Sequence, residues 1–433
     1  MEANVRKNLG GDPWAPLTRR ESLRRIGAGF GSLGLAGVFA DPALFASGKE
    51  NIQQADSPLA PKIPHFAPKA KHVIQLFMPG GPSQVDTFDH KPDIAKHAGK
   101  RPSLVNRKSL RNTKNGLMVS PFGFQRYGEC GKMVSDIFPN VGELVDDLCF
   151  IHSCHTDIPE HAGAILMMNL GHLQQSRPSL GSWLVYGLGT ENQDLPGFVA
   201  MSPRAQPRGK LANWGNSFLP GAYAGTYVNI ASMKPEAILR DLKNQHLAKA
   251  DQKRQASLLA RLNRVQLERV QQDQQLEASI EAMEMAFRMQ FSVPDVFDLN
   301  KESQATRDLY GKSEFAKGCL IARRLVERGV RVVQLSHSIS GYDIAWDTGH
   351  GNIVDGHREL AVACDQGIAA LLKDLKLRGL LDETLVVFVG EFGRTVYGQG
   401  NITRDNYGRD HHPRCFSGWL AGGGIKGGMH YGK

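Results

Sequence analysis

Residues 357–395 read HRELAVACDQGIAALLKDLKLRGLLDETLVVFVGEFGRT. A helical stretch, 357–377, passes through a short turn into the apolar run 384–390, and that run stops at the polar Glu391-Phe392-Gly393-Arg394-Thr395. The same order occurs upstream, where the helical stretch 314–328 precedes Val330-Arg331-Val332-Val333-Gln334-Leu335-Ser336-His337. Helix, short turn, apolar strand and polar loop in that order build a parallel sheet with helices on its faces. Two more apolar runs, 72–78 ahead of Pro79-Gly80-Gly81-Pro82, and 147–152, read as further buried strands. An α/β class is expected, with its chemistry at the carboxyl ends of the strands.

Polar residues gather where those strands end. After Phe77 come Ser83, Asp86 and Asp89, and after Phe150 comes the run from His152 to Gly163 that holds Thr156, Glu160 and His161. After His337 come Asp347, His350 and His357, after Gly390 comes Glu391, and Arg409-Asp410-His411-His412 precede another apolar run, Trp419-Leu420-Ala421. Any one of these residues has an ordinary explanation; Asp86 and Asp89, for instance, suit the capping of the turn after Ser83. Together they are harder to dismiss, because loops on one edge of a parallel sheet converge, and clustered carboxylates without a cation are costly. Carboxylate and imidazole ligands with glycines nearby are what a divalent-metal site needs.

Composition sets the outer bounds. The chain has 433 residues, 41% hydrophobic and 22% charged, enough for a sizeable core in one large domain or two ordinary ones. Six cysteines without CxxC spacing exclude a disulfide framework, a zinc ribbon and a thioredoxin-type site. No run of 18 uncharged apolar residues occurs, so no stable membrane span is expected. The net charge of +9 is dispersed beyond the first forty residues and forms no basic stripe interleaved with aromatics, so no nucleic-acid partner is expected.

Part of that charge lies in Arg19 and Arg20, directly ahead of the Gly-rich, weakly hydrophobic stretch 26–40. This pattern resembles a twin-arginine export signal, which makes residues 1–46 a signal segment, the twin-arginine machinery a partner, and the periplasm or the cell exterior the destination. The Pro-rich stretch 47–70 reads as a linker. Residues 235–290, rich in Gln, Leu, Ala, Arg and Glu, read as a pair of long amphipathic helices inserted into the sheet domain.

The motifs Gly80-Gly81-Pro82-Ser83, Asp86-Thr87-Phe88-Asp89, His161-Ala162-Gly163, Arg177-Pro178-Ser179-Leu180-Gly181-Ser182-Trp183, Glu391-Phe392-Gly393-Arg394-Thr395 and Gly408-Arg409-Asp410-His411 resemble an exported bacterial domain family of unassigned function. That family is placed in the alkaline phosphatase and sulfatase superfamily, and its members are often labelled sulfatases. The resemblance covers residues 71–433. It implies an alkaline-phosphatase-like α/β sandwich, with a mostly parallel sheet, helices on both faces and the long helical insertion, and with one or two divalent metals (Zn, Ca, Mg or Mn) at the strand ends. By position, Asp347 and His350 look like the first Asp/His ligand pair, Glu391 stands where a later strand supplies ligands, and His411 looks like the last His ligand. Thr156 and His161 are the candidates for the attacking or proton-transferring group, and Arg394 for a bidentate clamp on a substrate oxygen. The family continues with a further strand and helix past position 433, so the domain is expected to be short at its C-terminus.

The leading expectation is an exported metal-dependent hydrolase of sulfate or phosphate esters on a small-molecule or carbohydrate body. A second class is a non-catalytic protein of the same fold that binds carbohydrate or a partner at the cell envelope. It is favoured by the first strand, which ends Met78-Pro79-Gly80 without an Asp, and by Glu160-His161-Ala162 at the nucleophile's usual place. A third, a structural envelope protein, would suit the long helices.

Overall fold

In the computed structural model, residues 58–432 are described except 102–114, 175, 205, 404 and the stretch 232–292, of which only 251, 254, 258, 285 and 289 are described. The expected signal segment, the linker as far as residue 57 and nearly all of the expected helical insertion lie outside the described residues.

Eight strands form one sheet in the order β12-β4-β11-β8-β1-β7-β5-β6, with β1 at His72–Phe77, β4 at Leu148–Cys154, β5 at Phe198–Ser202, β6 at Thr226–Asn229, β7 at Val332–Ser336, β8 at Thr384–Val389, β11 at Phe416–Ala421 and β12 at Met429–Tyr431. The β8-β1-β7-β5-β6 pairings are parallel, as is β12 with β4, while β11 runs antiparallel to both of its neighbours. The expected mostly parallel α/β sheet is thus present, with one reversed strand. Its reversal follows from the chain path. Past β8 the backbone makes an antiparallel ribbon, β9 (Gly393–Gly398) with β10 (Arg409–His412), and then re-enters the sheet from its carboxyl edge.

Strand alternation divides the core into two layers. Val199, Met201, Val333 and Leu335 point into the larger one, with Leu320, Ile321 and Leu325 of the helix Glu314–Glu327 and Leu360, Ile368 and Leu371 of the helix Ile353–Leu377. Phe198, Ala200 and Val332 point the other way, against Val185 of the helix Leu180–Leu188 and Trp214. Helices therefore cover both faces, as expected. The two longer helices start at side-chain caps, Ser313 accepting from Ala316 N and Asn352 from Asp355 N. They touch closely at Gly367, where a Cβ would lie 2.7 Å from Ala316 Cα.

Because β1, β4, β7 and β8 share one direction, the residues that follow them, together with those that lead into β11, emerge on one edge. That edge carries the polar clusters.

Candidate metal centre

The loop after β7 is pinned to the loop after β1. Trp346 is fully buried, its backbone N–H donates to Pro79 O (2.8 Å), and its indole N–H donates to His337 Nδ1 (3.0 Å). The following turn, Ala345–His350, places Asp347 and His350 one above the other. Gly80 makes the close approach possible. It has φ +111°, and a Cβ there would fall 2.3 Å from Asp347 N. His161 opens the helix His161–Leu170, whose N-cap Glu160 accepts from the Ala162 and Gly163 N–H groups. His411 lies on β10 opposite Arg394 of β9.

These elements bring three imidazoles and one carboxylate together: His161, Asp347, His350 and His411 each offer a ligand atom, and all four atoms lie within 4.8 Å of one another. Asp347 Oδ1 is 3.0 Å from His161 Nε2, 3.1 Å from His350 Nε2 and 3.4 Å from His411 Nε2. Every Nδ1 on the far side of these rings is engaged. His161 Nδ1 meets Glu391 Oε1 at 2.6 Å, His411 Nδ1 meets Pro159 O at 2.7 Å, and His350 Nδ1 meets the Gln399 side-chain oxygen. An acceptor at Nδ1 keeps the proton there and turns the Nε2 lone pair inward, the arrangement found behind metal-ligating histidines. His161 Nε2 is buried and has no hydrogen-bond partner, although Asp347 Oδ1 is at ion-pair distance. The donor set therefore fits a divalent ion. The His161 and His411 side chains are 7% and 8% exposed, those of Asp347 and His350 31% and 27%, so one side of the cluster faces solvent. Phe392 closes the other side, its ring 4.9 Å from that of His161 and 4.4 Å from that of His411.

Burial works against the Asp347 charge, but the His161, His350 and His411 imidazoles gathered around it, together with the Arg394 guanidinium, outweigh it and hold the carboxyl far below the usual carboxylate range. At His161 burial is likewise outweighed, by Asp347 and Glu391, and its pKa is raised. At His411 burial prevails and the pKa is lowered. The bare cluster thus has one ionised carboxylate and an imidazole that favours a proton, the place a cation would take.

Of the seven residues singled out from sequence, the structure brings four together, His161, Asp347, His350 and His411, with Arg394 touching Asp347 and Glu391 behind His161. Asp347, His350 and His411, read from sequence as ligands, lie together, and His161, read as an attacking or proton-transferring group, lies with them. Glu391 is not beside them: it is fully buried and lies behind His161, both of its oxygens also accepting the Gly80 N–H (2.9 and 3.1 Å). Arg394, read from sequence as a clamp on a substrate oxygen, has protein partners here. It is fully buried, and its donors go to Gly81 O, Gly80 O, Trp346 O, Arg409 O and Asp347 Oδ1 (2.9 Å). Thr156 is not among the four donors: its hydroxyl oxygen accepts the Ile158 N–H at 3.4 Å and its own N–H donates to Pro413 O. Asp86, read as a turn cap, accepts from Ser83 Oγ but chiefly faces Arg409 in a bidentate pair at 2.6 and 3.0 Å, both residues fully buried. Gln399 and the Pro159 carbonyl were not anticipated; each holds a His from a different loop, and no local pattern marks them.

No curated protein matches the chain. Among solved structures it is similar to the lipoteichoic acid synthase LtaP from Listeria monocytogenes (10% identity, TM-score 0.36, covering 84% of this chain and 68% of that one). It is similar also to the PsFucS1 sulfatase from Pseudoalteromonas sp. (13%, 0.33, 83% and 64%) and to the alkaline phosphatase from the Antarctic bacterium TAB5 (9%, 0.34, 84% and 95%). At such identities and TM-scores the likenesses say nothing about chemistry at the sheet edge. The family described as a protein of unknown function, DUF1501, matches residues 70–433, and the chain belongs to that family.

Proposed function

We propose that this protein is an exported, metal-dependent hydrolase of phosphate or sulfate esters, acting at the His161, Asp347, His350 and His411 centre. The observation that carries the reading is the convergence of three inward Nε2 atoms on one carboxylate oxygen, with one side open. Four protein donors fill a tetrahedral set, so substrate or water would enter by expansion to five-coordinate on the solvent-facing side, beside Asp347 and His350. When bound, the ion would supply Lewis acidity toward an ester oxygen and toward water. The imidazole-rich donor set suits zinc better than calcium or magnesium.

The chain's own groups hold this centre in place. Glu391, Gln399 and the Pro159 carbonyl fix the three imidazole tautomers. Arg394 anchors Asp347 Oδ1 and ties it to the carbonyls of Gly80 and Trp346. The Thr348 hydroxyl is engaged with His357 Nδ1 at 3.0 Å, and the Thr156 oxygen accepts from the Ile158 N–H. Attack by water therefore fits the described residues better than attack by a protein hydroxyl.

Elemental analysis of the purified protein, followed by assays on aryl phosphate and aryl sulfate esters, tests the reading. Bound metal with turnover that is abolished in Asp347→Asn is the expected result. Bound metal without turnover on either ester favours the second reading, a non-catalytic protein that binds carbohydrate or a partner at the envelope. Two observations speak for that reading: the saturated Arg394 and the absence of a free hydroxyl at the cluster among the described residues. Export by the twin-arginine route rests on Arg19 and Arg20 ahead of the Gly-rich stretch; Arg19→Lys with Arg20→Lys is expected to retain the protein in the cytoplasm, and secretion of that variant would refute it. No helix among the described residues is long and apolar enough to cross a membrane.

A further inference from the structure

A patch of exposed aromatic and apolar side chains lies on the helix Leu180–Leu188, on the sheet face opposite the two longer helices. Leu180, Trp183 and Tyr186 follow one another at helical spacing along its outer side, and all three are exposed. Phe218, 67% exposed, joins them from another loop. Its ring centre is 5.8 Å from that of Trp183 at 70°, and the Tyr186 ring stands 5.9 Å from Trp183 at 75°. Edge-to-face contacts of this kind hold the three rings upright without covering them. Gly187, one turn past Trp183, has nothing within 4 Å of where a Cβ would be, so the surface beside the rings is open. Single exposed apolar side chains are ordinary, but four together mark a contact surface.

The charge around the patch has one sign. Residues 171–190 and 203–223 contain no Asp or Glu, and their Arg and Lys residues are Arg177, Arg204, Arg208 and Lys210. Arg204 and Arg208 pair with Glu314 and Asp343, whereas Arg177 and Lys210 are exposed and make no ion pair among the described residues. Arg177 lies three positions before Leu180. Lys210 opens the turn Lys210–Trp214, which is tied to the helix at Gly215, whose carbonyl accepts from the Ser179 N–H (3.0 Å) and the Ser182 hydroxyl (3.1 Å). Lys62 Nζ donates to Tyr186 O and stands 5.0 Å from the centre of the Tyr186 ring. Of the three described non-glycine residues with left-handed backbone, two are here: Lys210 (φ +45°) and Ser217 (φ +49°), directly before Phe218. Such conformations are costly and collect at functional sites.

We propose that this patch seats the protein on an anionic lipid surface, with the rings at the boundary between headgroups and acyl chains and Arg177, Lys210 and Lys62 toward the phosphates. Charge decides between the candidate occupants. An apolar centre with cations at its rim and no acid complements an anionic bilayer. In a second copy related by a twofold axis, like charges would meet across the contact. Trp and Tyr suit that depth, since one end of each is apolar and the other polar. The contact is peripheral and needs no spanning helix.

The test is co-sedimentation of the full chain with vesicles of phosphatidylcholine alone and of phosphatidylcholine mixed with phosphatidylglycerol. Binding is expected to the mixed vesicles only. It is expected to fall at least fivefold after Trp183→Ser with Phe218→Ser, and likewise after Arg177→Glu with Lys210→Glu, with the melting temperature unchanged. Salt at about 1 M, where charges are screened within about 3 Å, is expected to release the protein. Residues 1–46 are common to all these proteins, so the comparison isolates the patch. No binding to the mixed vesicles, or binding that either pair of substitutions leaves unchanged, overturns the proposal. A dimer that forms without vesicles and is lost in Trp183→Ser/Phe218→Ser would overturn it in favour of a second copy. Should the variants misfold, hydroxyl-radical labelling of the unaltered protein, read by mass spectrometry, decides: mixed vesicles are expected to protect Trp183 and Phe218, and equal labelling with and without vesicles refutes the site.

Discussion

Glu391 Oε1 lies 2.6 Å from His161 Nδ1, and the carboxylate is fully buried. Of the three imidazoles in the cluster only His161 has a carboxylate behind it; His350 and His411 have neutral oxygens. A charge at that position raises the basicity of the ring it holds. Glu391→Gln keeps the shape and an acceptor but removes the charge. It is expected to weaken metal binding about 10–100-fold while leaving the melting temperature of the metal-free protein nearly unchanged, as read by metal titration and calorimetry side by side. Unchanged affinity would show that the carboxylate serves only to pack the loop.

Gly80 is a tight point of the site. Its φ is +111°, and a Cβ on it would stand 2.3 Å from Asp347 N, which leaves no room for a side chain. Gly80→Ala is expected to displace the Asp347 turn, abolish metal uptake and lower stability by about 2–4 kcal/mol. Urea unfolding together with metal analysis checks both effects; full metal occupancy in this variant would show that the turn tolerates a side chain at this point.

Asp86 and Arg409 form a fully buried bidentate pair between the loop after β1 and the ribbon strand β10. Losing one partner leaves a lone buried charge. Arg409→Met alone is expected to destabilise by about 3–5 kcal/mol, and adding Asp86→Leu to recover much of that loss. Arg409→Lys is expected to fail as a replacement, since one ammonium cannot reproduce the fork. A double-mutant cycle by chemical denaturation measures the coupling, and additive effects would falsify it.

His337 and His357 are both buried, and burial, the leading cause at each, pushes their pKa values down to about 3. The unfolded chain takes up protons near 6.5, so between these values the unfolded state binds more protons and stability falls as pH falls. Two such groups give a slope of about 2.7 kcal/mol per pH unit well inside that window. Denaturation of the metal-free protein at pH 7, 6 and 5 is expected to show the loss beginning below about 6.5; a flat profile would exclude neutral burial of these rings.

The strands β1, β4, β7 and β8 are legible because a fully buried parallel strand appears as a continuous apolar run between turn residues. The helix Glu314–Glu327 is legible almost to its ends. The last long helix begins earlier than its sequence suggests, at Ile353 rather than His357, because Asn352 caps it and Ile353 is buried. Strands β5, β6, β9 and β10 were not anticipated, and the reversal of β11 is a matter of chain path rather than of composition.

Amino-acid order alone determined that this chain builds an α/β sheet and that His, Asp and Glu residues follow its strands, since apolar periodicity and turn chemistry are local properties. Only the tertiary structure decided which of those residues face one another. His161 and Glu391 are 230 positions apart, and nothing within a few residues of either distinguishes a donor aimed at the centre from a carboxylate buried behind it. That distinction arises when distant loops meet at one edge and burial selects which polar atoms still need partners.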